Sequence, residues 1–385
     1  MTSVSEPSQP LWIETPLLYS SHISSIIGCS AYLKLENLQP SHSFKYRGVT
    51  LFIQHCKHTH GPSVHCIIAS GGNAGLAAAC AARRLAVRCT VYLPATASPR
   101  VVAYLEKEEA HVVIAGAIYA EALAEARKAA EEDEKAVMVP AYDDPLLWEG
   151  HSSMVAEIAG QLPGGKPDAI ICSVGGGGLL AGIIVGCKKA GWDDVPLVTL
   201  ETHGTSCFRQ SMDINARKSG SFGTGQAVPS TAHPGITLAN VQSTLHLSKA
   251  SCLGASTPSA GAVKLALERQ GPVRSLSVPD GMSMDACCRF AEDHKLLVEL
   301  ACSTALTPAY SPSLFSKIFD SPTAPRPKTV VFIVCGGFNI SLDEIAEYKR
   351  TAKEKEEKAW YGYGTRKEGC WDVVCDGQLW DVPRE

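Results

Sequence analysis

A lysine, Lys45, stands in the stretch "PSHSFKYRG" between an aromatic residue and a tyrosine-arginine pair, with a proline upstream and a glycine downstream. A primary amine held in a structured segment can attack a carbonyl group and keep it as a Schiff base. Three other stretches carry groups suited to an anion. In "SVGGGGLLAG", Gly175 to Gly178 let the backbone approach a ligand closely, and a helix start there would add free N–H groups and a positive dipole end. A nucleotide P-loop would need Gly-Lys-Ser/Thr after its spacer, and a dinucleotide fingerprint would need glycine where Leu180 stands. A compact phosphate cup remains, or a tight turn without a ligand. In "ASGGNAG", Ser70 and Asn73 can present a hydroxyl and an amide to a carboxylate, or simply cap a helix. In "IVCGGFN", Cys335 closes an apolar run and two glycines turn the chain; a buried cysteine before a loop reads the same way.

Each of these glycine turns follows a short apolar run and precedes an amphipathic or small-residue stretch. The runs "VHCIIAS", "CTVYLP", "HVVIAG" and "AVMVP" alternate with "GGNAGLAAACAARRL", "SPRVVAYLEKE" and "YAEALAEARKAAEEDE". The rhythm of strand and helix restarts after Pro145 with "HSSMVAEIAGQL", "DAIICSV", "LLAGIIVGCKKAG" and "PLVTLE", and a late strand "TVVFIVC" precedes the charged helix "LDEIAEYKRTAKEKEEKAW". Buried strands alternating with helices predict an α/β protein with open, twisted, mostly parallel sheets flanked by helices. Ligands of such sheets sit at the carboxyl ends of the strands, so one small molecule can touch all three turns. The Gly- and Ser-rich region from Met212 to Pro234 reads as a surface loop. The tail "YGYGTRKEGCWDVVCDGQLWDVPRE" follows neither period, and its tryptophans point to docking on the body.

A phosphate cup, a carboxylate cup and an amine together fit a ligand with an aldehyde and a phosphate, namely pyridoxal phosphate. "SFKYRG", "SGGNAG", "GGGGLL" and "CGGFN", in this order, resemble the fold-type II pyridoxal-phosphate enzymes. Within them, "YLKLENLQPSHSFKYRG", "DDPLLWEGHSS" and "VCGGFNIS" are most similar to the serine/threonine dehydratase family, and there to its L-serine dehydratases. The resemblance runs from about Thr15 to Ala346.

It implies a cofactor cleft between a large domain (5–40 and 145–350) and a small one (41–144), with 351–385 a tail of unassigned role. It implies that Lys45 carries the cofactor and acts as the base. Phe44 would pack on the ring, Asn73 would bond the ring hydroxyl, and Cys335 would face the ring nitrogen. Gly175, Gly176, Gly177, Gly178 and Leu179 would hold the phosphate; Ser70, Gly71, Gly72 and Asn73 would clasp the substrate carboxylate. Glu201 and Thr205, in "ETHGTSC", align with a site that in some relatives holds a monovalent cation, K+ being the expected ion, and Cys207 stands there where close relatives have serine. The implied reaction is β-elimination from L-serine to pyruvate and ammonia, and from L-threonine to 2-oxobutyrate. A related enzyme acting on another β-substituted amino acid, or a binder without turnover, are the rival readings. Three positions depart from the pattern: Gly71 stands where racemases carry a serine base, His42 replaces a glycine, and Phe338 replaces a smaller polar residue. The last two are expected to reshape the pocket.

The bulk composition agrees with a small-molecule enzyme. The 385 residues carry 35 basic and 39 acidic side chains, a formal charge of −4, and no basic stripe for nucleic-acid phosphates. No signal-like start and no apolar window long enough for a membrane span occur, so a cytoplasmic protein without membrane contact is expected. Many of the 15 cysteines, such as Cys66, Cys172 and Cys335, sit in apolar runs, and the cysteines are expected to be reduced thiols. A homodimer is the expected assembly. The histidines of "HCKHTH" read as a solvated helix end before Gly61, "CWDVVC" as a thiol pair without a completing ligand, and "KEKEEK" as an exposed helix face.

Overall fold

The computed structural model describes residues 9–216, 223–320, 326–353 and 369–384. In chain order the strands are β1 (Leu17–Tyr19), β2 (Ser30–Leu35), β3 (His65–Ala69), β4 (Arg88–Leu93), β5 (His111–Ile114), β6 (Ala136–Met138) and β7 (Ala169–Ser173). They continue with β8 (Leu197–Thr202), β9 (Gln226–Pro229), β10 (Thr237–Asn240), β11 (Val273–Val278), β12 (Thr329–Val334), β13 (Cys370–Cys375) and β14 (Gln378–Pro383). The larger sheet has the order β1-β2-β12-β7-β8-β11-β13-β14, and its five inner strands from β2 to β11 run parallel. A second sheet, β5-β4-β3-β6, is parallel throughout. Strands β7 and β8 are buried along their whole length, as a sheet covered by helices on both faces requires.

Lys45 opens the helix Lys45–His60, which packs on the helix Asn73–Leu85 on one side and on the helix Pro145–Gln161 on the other. The second crossing is made by two glycines. A Cβ on Gly48 would lie 2.5 Å from the Leu147 carbonyl oxygen, and one on Gly150 would lie 2.6 Å from Gly48 Cα. No larger residue fits either position, so the helices meet backbone to backbone. Beside this contact Arg47 is fully buried and grips two carboxylates. It donates to Glu36 from Nε (2.7 Å) and Nη2 (2.8 Å), and to Glu157 from Nη1 (2.6 Å) and Nη2 (2.7 Å). Lys34, also buried, completes a neutral set of two cations and two anions through Glu157 Oε2 at 2.6 Å.

The structure corrects the reading of Met212–Pro234 as loop. The helix Cys207–Asn215 reaches past Met212, and β9 pairs antiparallel with β10. Asn215 explains part of this order: its side chain accepts from Thr237 N and donates to Thr237 O. The tail, too, holds regular structure. β13 and β14 form an antiparallel hairpin that extends the large sheet beyond β11, with Trp371 buried and the Arg384 guanidinium 3.7 Å from its ring. The histidine-rich stretch ends its helix at Gly61, whose φ of +83° stops the turn. Of "KEKEEK", only Lys353 lies within the described residues.

Removing Arg47 leaves Glu36 buried with no cation. Arg47→Ala should cost about 3–5 kcal/mol in denaturant unfolding, and Arg47→Met with Glu36→Gln should recover most of it.

Candidate functional site

Lys45 is placed by its own backbone. Ser43 bridges Gly336, Phe44 N donates to Cys335 O at 3.1 Å, and Gly337 N donates to His42 O at 2.7 Å. The lysine segment is thereby laid against the turn that follows β12. Gly336 (φ +87°) makes the contact possible, since a Cβ there would sit 2.2 Å from the His42 carbonyl oxygen. The Lys45 amine is hydrogen-bonded to the Ala141 carbonyl and lies 5.3 Å from the centre of the Phe44 ring. Burial pulls it down to about 8, although the Cys252 and Cys335 thiols work in the other direction. His151, fully buried, packs edge-on against Phe44 at 4.9 Å and accepts from Gly48 N through Nδ1. Its own pKa is held well below the ordinary value by burial and then by Lys45 and Arg47, so the ring stays neutral.

The glycine loop follows β7 and opens the helix Gly178–Lys189. It is squeezed from two sides: a Cβ on Gly176 would meet the Tyr142 ring at 2.4 Å, and one on Gly175 would lie 2.9 Å from Leu253 Cα. Among the described residues, the amides of Gly175, Gly176 and Gly177 donate to no protein group, and the first-turn amides of the helix have no partner within it. A cradle of open donors at a helix N-terminus, too tight for any side chain, fits a phosphate. On the same side of the sheet, Cys335 Sγ lies 3.5 Å from Ser173 Oγ.

At the end of β3, Ser70 Oγ accepts from Gly72 N, and Asn73 begins the next helix. Asn73 reaches across the cleft. Its Nδ2 donates to Glu299 Oε2 (3.0 Å) and points to Cys252 Sγ (3.4 Å), while its Oδ1 accepts from Phe338 N (3.2 Å). Glu299 Oε1 accepts from Asn339 N at 2.8 Å. The structure therefore brings Phe44, Lys45, Ser70, Asn73, the glycine loop and Cys335 to one cleft.

Sequence reasoning missed Glu299, Cys252, Tyr142 and His151. A sole acid inside the apolar run "LLVELACSTAL" was the available signal for Glu299; Cys252 had none.

Glu201, near the end of β8, is followed closely by Thr205 and Cys207. Glu201 accepts from the amides of Phe208 (2.9 Å) and Arg209 (2.6 Å), yet burial pushes it up to about 8. Thr205 Oγ1 bonds Thr202 Oγ1, and Cys207 Sγ donates to the Gly175 carbonyl at 3.6 Å, tying this segment to the glycine loop.

The two departures expected to reshape the pocket do something else. His42 has φ +59° and an exposed side chain; what its position demands is a left-handed backbone that glycine adopts without strain. Phe338 is buried in the core around the smaller sheet, its ring 5.1 Å from that of Tyr104.

Comparison with known proteins adds a family to this geometry. The family model described as "Pyridoxal-phosphate dependent enzyme" matches residues 9–336. The chain is 37% identical over 344 residues to a Bos taurus protein named "L-serine dehydratase/L-threonine deaminase", covering 89% of this chain and 96% of that one. It is 36% identical to a Homo sapiens protein named "Serine dehydratase-like", covering 89% and 95%. Among solved structures, a fungal L-serine ammonia-lyase from Rhizomucor miehei superimposes with a TM-score of 0.75 at 32% identity, covering 89% of this chain and 99% of that one.

If His42 acts only through its backbone, His42→Gly should raise stability by about 1 kcal/mol in thermal unfolding and leave the KM for amino-acid substrates unchanged.

Proposed function

The chain belongs to the pyridoxal-phosphate dependent enzymes, and from that membership we propose that it deaminates L-serine to pyruvate and ammonia, and L-threonine to 2-oxobutyrate and ammonia. The observation that carries the reading is the buried amine of Lys45, brought down to about 8 and fixed beside an open phosphate cradle.

When bound, pyridoxal phosphate supplies a sink for the electron pair left when the Cα–H bond breaks. In this reading Lys45 would hold it, the amides from Gly175 to Leu179 would take its phosphate, Phe44 would flank its ring, Asn73 would bond its ring hydroxyl, and Cys335 would meet its ring nitrogen. A neutral thiol is a weak partner there and does little to prolong charge at Cα, which favours prompt loss of the β-hydroxyl over transamination. Ser70, Gly71, Gly72 and Asn73 clasp the substrate carboxylate with first-turn amides and side chains. Lys45 Nζ, neutral, takes the proton from Cα. The proton that Lys45 takes from Cα balances the one with which the β-hydroxyl leaves as water, and a second water hydrolyses the released enamine to the keto acid and ammonia. Gly71 offers no second base, so racemisation is not the main activity.

The same reading includes the division into a large unit (5–40 and 145–350) and a small one (41–144), with 351–385 as tail, and a homodimer working in the cytoplasm. None of the fifteen cysteines is in a disulfide, which suits a reducing compartment. No described helix is long and apolar enough to cross a membrane.

Purified protein should show an absorbance band near ~410–420 nm and form pyruvate from L-serine; Lys45→Ala should lose both. Because the base must be neutral, kcat should rise with pH up to about 8 and level off above it. A colourless protein, or amino-acid binding without keto-acid release, would refute the reading. Keto-acid analysis over a panel of β-substituted amino acids separates it from its nearest rival.

We also propose K+ at Glu201, Thr205 and Cys207. A cation there would offset the burial that disfavours the Glu201 carboxylate. Activity should fall when K+ is exchanged for tetramethylammonium and return on adding K+; equal rates in both would remove the ion from the mechanism.

A further inference from the structure

We propose that Glu299 is a positioning residue that fixes the amide of Asn73 so that one N–H is aimed into the cofactor cleft; this rests on the cofactor reading above. The argument is one of hydrogen-bond bookkeeping. The backbone N–H of Phe338 can only donate, so the Asn73 atom it meets at 3.2 Å must be the carbonyl oxygen. The amide nitrogen then faces Glu299 Oε2 at 3.0 Å, and since an amide N–H can only donate, that oxygen accepts. With both ends assigned, the amide cannot flip without setting N–H against N–H at Phe338 and oxygen against oxygen at Glu299. Its second N–H meets only Cys252 Sγ, at 3.4 Å. A thiol is a weak acceptor, so that N–H is available to an oxygen on a ligand ring.

Glu299 is itself held. Asn339 N donates to its other oxygen at 2.8 Å, and it is 4% exposed. Gly337 (φ +126°) gives it room, since a Cβ there would lie 2.2 Å from Glu299 Cδ. Asn73 and Glu299 are 226 residues apart: Asn73 starts the helix after β3, and Glu299 caps the helix Leu300–Ser303. The amide is thus set by a residue that does not itself take the cofactor.

The test uses purified holoenzyme carrying Glu299→Gln, Asn73→Ala and both together. Glutamine keeps the shape but sets an N–H against either Asn73 or Asn339. E299Q should shift the visible band of bound pyridoxal phosphate and raise its dissociation constant about tenfold. Added to Asn73→Ala it should change neither further, because its effect runs through that amide. Glu299→Asp, which keeps an acceptor-only group, should recover the wild-type band. If E299Q does not fold, Glu299→Ala is read by the same two measurements and the same criteria. An unchanged band and affinity, or an equal effect with and without Asn73, overturns the inference. A wild type that binds no pyridoxal phosphate refutes the proposed function as well; a yellow wild type with unaltered variants refutes this inference alone.

Discussion

The guanidinium of Arg47 is fully buried and shares its donors between Glu36, from the turn after β2, and Glu157, from the helix Pro145–Gln161. Such a group stays in a dry interior only when its charge is matched and its N–H groups are taken, so three distant segments must meet at one point. Arg47 lies two residues after Lys45 on the first turn of the same helix. Whatever holds the guanidinium therefore also sets where the amine emerges. The ion cluster faces the large-sheet side and the amine faces the cleft.

The glycines serve the same end by a different means. Gly48 and Gly150 let two helices touch backbone to backbone, and Gly336 lets the β12 turn lie against the lysine segment. At each place a single methyl group would push the partners apart by an ångström or more, which at a site of this kind separates a placed base from an idle one. Low side-chain volume here has a positional purpose, and it explains why motifs rich in glycine surround Lys45.

Most of the α/β alternation was legible because buried parallel strands are short continuous apolar runs, as in β7 and β12. The hairpin β9–β10 was not, since its strands are four residues long, β9 largely exposed and β10 mostly half-buried, and set by the Asn215 side chain rather than by periodicity. The tail hairpin was hidden for a related reason: β13 is buried on both faces against the body, so no alternation shows in "CWDVVC". His42 looked like a pocket residue because a side chain had replaced a glycine. Its φ shows that the position concerns the backbone.

The order of four motifs along the chain was enough to determine the family and the cofactor class and to single out Lys45 as the candidate lysine. Which of these groups touch was decided only by the fold. Asn73 and Glu299, or Gly175 and Cys207, are brought together by strands and helices whose pairing depends on packing across the whole molecule. A lone glutamate in an apolar run has many uses, and a cysteine in a loop has more. Only when Phe338 N, Glu299 and Cys252 are seen around one amide does the direction of its remaining hydrogen bond become determined. Hydrogen-bond direction is a property of neighbours in space, and a linear sequence does not contain them.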